Sequence, residues 1–406
     1  MTYTVVHDAT EIVTGPADED SETLQTETGA AVVIEDGTVS AVGPSAEITA
    51  EYPPANAETA VDASGNCILP GFVDSHTHAL FVGDRSDEFE AKLAGKSYQE
   101  ILADGGGILR TVRNVREATD GELAAQLRTH LDVMLANGTT TAEVKSGYGL
   151  DTDIELRMLA VIDRVNENHP VGLVPTFMGA HAVPDDTTSE AYTESVVTEQ
   201  LPTVADQGIA EFCDVFCEAD VFSVEQSRRI LTAGQEHGLT PKIHADEFAR
   251  LGGSQLAAEL SAASADHLLQ STPEDAASLV DNGVTPTFLP GTAFGLDGEY
   301  PRLAPFEERG TIPAIATDFN PNCYAPTLGF AATLACVGVG MTPAQAIRGI
   351  TERGAAALDR TDGRGTLRTG APGDLVVLDA PTYRHLPYKY DGALVETVLK
   401  DGTVVH

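Results

Sequence analysis

The sequence predicts a (β/α)8 barrel, an α/β fold, joined to a small β domain assembled from both chain ends. Three observations lead there. Eight short apolar, β-branched runs alternate with helix-patterned stretches between residues 66 and 364, the number of strand–helix units a barrel needs. The two ends share a different texture, of short strands and tight turns. Polar, ligand-type side chains gather at the C-terminal ends of the predicted strands, where such a barrel builds its active site. A doubly wound sheet is the structural alternative, but it seldom needs eight units.

In chain order, residues 1–65 read as strands and turns, with apolar runs flanking Asp36-Gly37 in GAAVVIEDGTVSAVG, a strong hairpin signal. Residues 365–406 repeat the theme in GDLVVLDAP and ALVETVLKDGTVV, with Asp401-Gly402 at the turn. The two ends are expected to pair into one domain, leaving 66–364 as the barrel. Its strands are expected at 66–76, 139–146, 172–181, 212–218, 240–247, 264–269, 285–291 and 312–320. Segments 121–138 and 224–238 carry the helical period and end at a glycine.

Composition narrows the function classes. The chain carries 62 acidic against 24 basic residues, formally −38, and only six of the basic residues are lysines. Such a surface repels nucleic-acid phosphate and anionic lipid, so neither is expected as a partner. The acids are scattered rather than gathered in a tail, which points to a folded, halophilic protein adapted to molar salt. No apolar run is long enough to span a bilayer, and the N-terminus does not look like a signal peptide, so the expected compartment is the cytoplasm. The five cysteines read as reduced thiols, with Cys213 and Cys217 as small core residues. The run Gly105–Gly107 lacks the spacing of a phosphate loop and reads as a flexible active-site loop, with no role for Asp104 or Arg110 beside it.

The chemistry lies at four strand ends. The first predicted strand ends in Asp74-Ser75-His76-Thr77-His78, and period-two alternation puts both imidazoles on one face. The fifth ends in His244-Ala245-Asp246-Glu247, the sixth in Asp266-His267 and the eighth in Thr317-Asp318-Phe319-Asn320. An isolated HxH is weak evidence; four such ends together are hard to dismiss. His76, His78, His244 and Asp318 are the expected ligands of one Zn2+ or Fe2+/Fe3+ ion, with a position left for water.

PGFVDSHTH, HADE, ADH and ATDFNP resemble the amidohydrolase superfamily. Within it, SHTHALFVGDRSDEFE, GGGILRTVR, EVKSGYGL, TFMGAHAVP, FCDVFCE, KIHADE, SADHL and LPGTAF are similar to the imidazolonepropionase family over nearly the whole barrel and into both ends. The resemblance implies a (β/α)8 barrel beside a composite β-sandwich, one zinc or iron ion, a small-molecule substrate and a homodimer. The implied reaction is hydrolysis of the cyclic amide C–N bond of 4-imidazolone-5-propanoate to N-formimidoyl-L-glutamate through metal-activated water. It places the metal on His76, His78, His244 and Asp318, and substrate contacts on Arg85, Tyr98, Tyr148, His181, Glu247 and Asn320. Asn322 and Cys323 depart from the family's usual glycine and small hydroxyl residue, which puts the contacts of that loop in doubt.

From these residues, Asp318 and His267 are expected to handle protons and steady the oxyanion. Glu247 would meet the ring nitrogens and Arg85 the propionate. Each has a plainer reading: Arg85 as a local ion pair in GDRSDEFE, Tyr148 as a barrel cap, His181 as a structural histidine. Lys145 lies on the second predicted strand rather than the fourth and reads as structural, in a mononuclear site. Two other functions stay open: a cyclic-amidine deaminase with the same ligands, and a catalytically silent relative that serves as an interaction protein.

Overall fold

A computed structural model describes residues 2–17, 23–96, 100–101, 104–390 and 394–406. The chain opens with β1 (Tyr3–Pro16), β2 (Leu24–Glu35), β3 (Thr38–Pro44) and β4 (Thr59–Asp62). The other end supplies β14 (Leu375–Leu378), β15 (Val395–Lys400) and β16 (Thr403–Val404). With β5 (Cys67–Pro70) they form one eight-stranded mixed sheet ordered β16-β15-β14-β5-β1-β2-β3, β4 pairing with β1. Asp36-Gly37 and Asp401-Gly402 both adopt left-handed backbone at two-residue turns, as such hairpins require. The sheet curls until these turns meet, Gly373 N donating to Gly37 O at 2.8 Å, and Val32, Ile34, Val377 and Leu399 share one apolar core.

The barrel holds β6 (Phe72–Asp74), β7 (Thr139–Lys145), β8 (Gly172–Ala180), β9 (Phe212–Cys217), β10 (Thr240–Ala245), β11 (Ser264–His267), β12 (Thr285–Phe288) and β13 (Ala314–Ile315). All neighbours in this order are parallel. The single strand expected at 66–76 is two: the chain leaves the small sheet at Pro70 and enters the barrel at Phe72. Gly71 makes the crossing, its N–H donating to Asp374 O at 2.9 Å. A Cβ there would lie 2.3 Å from Thr140 Oγ1, so the close passage requires glycine.

Helices fill the outer layer. Asp120–Ala136 starts at a capping box between Thr119 and Glu122, and Val224–Glu236 at one between Ser223 and Gln226. Cys213 and Cys217 point outward, Cys213 toward the helix carrying Gly234, and both are buried core residues. The barrel closes just beyond the ends of β6 and β13. Asp318 N donates to His76 O at 3.1 Å and His78 N to Phe319 O at 3.0 Å, while Thr317 donates twice to the Asp74 carboxylate. The closing seam therefore runs through candidate ligands.

Candidate active site

His76 and His78 follow β6, His244 lies on β10, and Asp318 follows β13; all four are buried at the C-terminal mouth of the barrel. Their inward atoms converge. His78 Nε2 lies 3.3 Å from His244 Nε2, and Asp318 Oδ1 lies 3.6 Å from Nε2 of both His76 and His78. His76, His78 and His244 together form a group of metal-ligating distance. Asp266 faces His76 Nδ1 at 2.6 Å and Asp214 faces His244 Nδ1 at 3.1 Å, so each carboxylate claims the Nδ1 proton. The Nε2 atoms are left with lone pairs turned toward one another and toward a carboxylate oxygen, and His76 Nε2 has no hydrogen-bond partner. Burial, with Lys145 and the neighbouring imidazoles, pushes His76 well below the usual histidine range; burial and His181 do the same to His78. Neutral imidazoles and a carboxylate arranged in this way fit a divalent cation.

The backbone at the mouth is unusual. Asp246, His267, Leu268 and Asp318 all have φ between 51° and 80°, a region uncommon for residues other than glycine. This strain collects at the residues that present the site. Thr292 Oγ1 donates to Asp318 Oδ2 and so turns Oδ1 toward the imidazoles. His267 is buried with Nδ1 unpartnered, and its Nε2 lies 3.6 Å from Glu247 Oε2. Burial first, then Asp318 and Glu218, hold the Glu247 carboxyl well above the usual range.

Around this centre the ring of His181 stacks on His78, with centroids 4.6 Å apart and planes 20° apart, and Tyr148 approaches His181 at 5.2 Å. His181 Nδ1 is 3.0 Å from Gly147 O, and burial pushes its pKa down to about 3. Burial, then Asp318, raise the Tyr148 phenol. Arg85 forms a near-buried pair with Glu88, at 2.7 Å through Nε. It lines a cavity of about 600 Å³ together with Lys92, Phe294, Asn322 and Cys323.

Asn320 organises the loop after β13: its Oδ1 accepts from Asn322 N and Cys323 N at 2.8 and 3.0 Å. Asn322 accepts from Lys92 Nζ at 2.7 Å, and the buried Cys323 thiol lies 3.7 Å from Thr317 O. Tyr98 lies outside the described residues. The glycine run packs on Glu88, which accepts from Gly107 N at 3.0 Å, and Arg110 pairs with Asp87 at 2.7 Å.

Asp214 and Asp266 were given no role from the sequence. Their signal was nevertheless present. In FCDVFC, Asp214 alternates with outward-facing cysteines and must point inward, as Phe216 does, 5.7 Å from His244. Glu143 and Lys145 on β7, and Lys242 on β10 two residues before His244, follow the same period. All of these charges are fully buried.

An amidohydrolase family model matches residues 67–405, and a model of the imidazolonepropionase-like composite domain of bacteria matches residues 30–55. The chain is 62% identical to the imidazolonepropionase of Haloarcula marismortui, covering 99% of this chain and 95% of the relative. It is 42% identical to that of Clostridium tetani, covering 99% and 98%. Among solved structures, an adenosine deaminase from Xanthomonas campestris with bound zinc matches with a TM-score of 0.74 at 16% identity, over 99% of this chain and 92% of that one. Escherichia coli guanine deaminase matches with a TM-score of 0.72 at 16% identity, over 100% and 99%. At such identities the likeness is one of fold.

Proposed function

The chain belongs to the imidazolonepropionase family of the amidohydrolases, and on that premise we propose how its residues share the reaction. The activity is hydrolysis of the cyclic amide C–N bond of 4-imidazolone-5-propanoate to N-formimidoyl-L-glutamate, in histidine degradation. The observation that carries the assignment is the convergence of His76, His78 and His244 at metal-ligating distance, with Asp318 Oδ1 3.6 Å from Nε2 of His76 and of His78. These four would hold one ion, Zn2+ or Fe2+/Fe3+. Such an ion, when bound, makes water nucleophilic at neutral pH and polarises a carbonyl.

The remaining roles fall to the chain itself. Asp318 receives the proton of the attacking water at the centre of the site and passes it to the ring nitrogen as the C–N bond breaks, which leaves the carboxylate and the formimidoyl nitrogen of the product. His267 stands beside it and donates to the oxyanion that forms at the ring carbonyl. Glu247, buried against His267, holds the ring nitrogens. Arg85 takes the propionate carboxylate by a two-pronged contact, exchanging it for part of its pairing with Glu88. His181 and Tyr148 wall the ring pocket and keep water from it, and the turn built by Asn320 closes the side at Asn322 and Cys323. We read the protein as a cytoplasmic homodimer adapted to molar salt.

The test is turnover of 4-imidazolone-5-propanoate by metal-loaded protein in multimolar KCl, followed by loss of ring absorbance and identification of formimidoylglutamate. Turnover that a chelator abolishes and added metal restores is expected. A folded, metal-loaded protein that leaves this substrate intact but deaminates cytosine or guanine would overturn the substrate assignment.

A further inference from the structure

A barrel of this kind is ordinarily filled by branched apolar side chains. Below the ligands, this one holds a linked group of charged side chains with no exposure, Glu143 and Lys145 on β7, Asp214 on β9, Lys242 on β10 and Asp266 on β11, beside the equally buried Asp74 on β6. The linked side chains stand in a single path. Asp214 faces His244 at 3.1 Å through one oxygen and Lys145 Nζ at 2.6 Å through the other. Lys145 Nζ lies 2.7 Å from Glu143 Oε2, and Glu143 Oε1 lies 3.6 Å from Lys242 Nζ. Lys242 Nζ lies 3.7 Å from the Asp266 oxygen that meets His76, and donates to the carbonyl of Ser75, the residue before His76. The charges alternate along the whole path from His244 to His76.

We propose that Glu143 is a positioning residue that couples two metal-ligating imidazoles, His244 and His76, through its two lysine–aspartate arms and fits the buried cluster to a divalent ion. The inference rests on the ligand assignment above. Glu143 sits midway, fixed by Thr176 Oγ1 at 2.6 Å and facing both lysines. A buried charge persists only when paired, so neither lysine can move without displacing the aspartate it holds and the imidazole beyond it. Charge arithmetic points the same way. The path itself, three carboxylates and two ammonium groups, is left with a negative charge, to which Asp318 and the fully buried Asp74 on β6 add carboxyl groups. A divalent cation on neutral imidazoles offsets this excess of buried negative charge. Removing the charge of Glu143 lessens the buried negative charge that favours a cation, and the arms lose their common anchor.

The experiment is competition between the full-length protein and a chromogenic chelator for Zn2+ in multimolar KCl, with the visible spectrum of the Co2+-substituted protein as a second readout. Wild type should bind one ion. Glu143→Gln should weaken Zn2+ binding about tenfold to a hundredfold, the usual effect of losing a partner of a metal-binding imidazole. Its Co2+ bands should shift as His76 and His244 loosen. Glu143→Asp, which keeps the charge and shortens the reach, should fall between the two. Wild-type affinity and unchanged Co2+ bands in Glu143→Gln would overturn this proposal and leave the ligand assignment standing. A wild type that binds no ion would take both down. Unfolding of both variants at saturating Zn2+, read by circular dichroism, would assign Glu143 to the fold alone and also overturn the proposal.

Discussion

His267 sits with His76 and Asp318 at metal-ligating distance, as His78 and His244 do with His76, and metal content is what tells its role from that of a ligand. Its ring centroid is 5.1 Å from that of His244 and 5.4 Å from that of His76, and its Nδ1, like that of His78, has no hydrogen-bond partner among the described residues. Its Nε2 faces the buried Glu247 carboxyl at 3.6 Å, the pairing on which the proposed acid–base role rests. On that role His267→Ala should lower kcat by about 10²–10⁴, the range for loss of a positioned acid–base group, with metal content unchanged. Elemental analysis beside kinetics checks this, and parallel loss of metal would make His267 a ligand. Arg85 acts at binding instead. Arg85→Lys keeps the charge but loses the two-pronged contact, at a cost of about 1.5–3 kcal/mol, and should raise KM roughly tenfold to a hundredfold with a smaller change in kcat. An unchanged KM would return Arg85 to a local pair with Glu88. The ligands could be read in the sequence because each ends an apolar run. The acids behind them lie inside the runs, where a charge gains meaning only once the neighbouring strands supply its partner.

Among the elements, the seam between the ends of β6 and β13 fixes the site. It joins His76 and His78 to Asp318 and Phe319 through backbone hydrogen bonds, so ligand spacing depends on how the first barrel strand enters. That entry is Gly71. Gly71→Ala would set a Cβ 2.3 Å from Thr140 Oγ1 and 3.0 Å from Asp374 Cβ, both on walls that do not yield easily. Overpacking of this kind costs about 1–3 kcal/mol. The variant should unfold at lower denaturant in multimolar KCl and bind metal more weakly, since β6 carries two ligands; unaltered unfolding and affinity would show that the crossing tolerates a methyl group. The sequence reads 66–76 as one strand because its apolar character continues across Gly71. What divides it is Asp374, more than 300 positions away, accepting the glycine N–H. Hairpins and helix starts are legible because turn and cap chemistry is local, as Asp36-Gly37 and Thr119 show. A crossing between sheets is set by partners distant in sequence.

At the scale of the whole molecule, the formal charge of −38 lies mostly outside the core: among the described residues twelve of the 62 acidic side chains are buried, against Lys145, Lys242 and Arg348. Arg229 is tied to Glu190 and Glu194, and Arg360 to Glu211, so much of the scarce positive charge is already paired while most carboxylates have no cation of their own. Exposed pairs contribute at most about 1 kcal/mol each and cannot offset the repulsion of the rest. The Debye length decides the balance: at about 3 Å in 1 M salt neighbouring acids scarcely interact, and at about 30 Å in 0.01 M salt the repulsion reaches across the whole surface. Dialysis from multimolar KCl to 10 mM buffer should abolish the circular dichroism of the fold, with the midpoint moved to lower salt by saturating Zn2+, because metal binds the folded barrel alone. A spectrum unchanged at 10 mM would mean that the apolar core outweighs the repulsion unaided, and the acidic surface would then need an explanation other than salt.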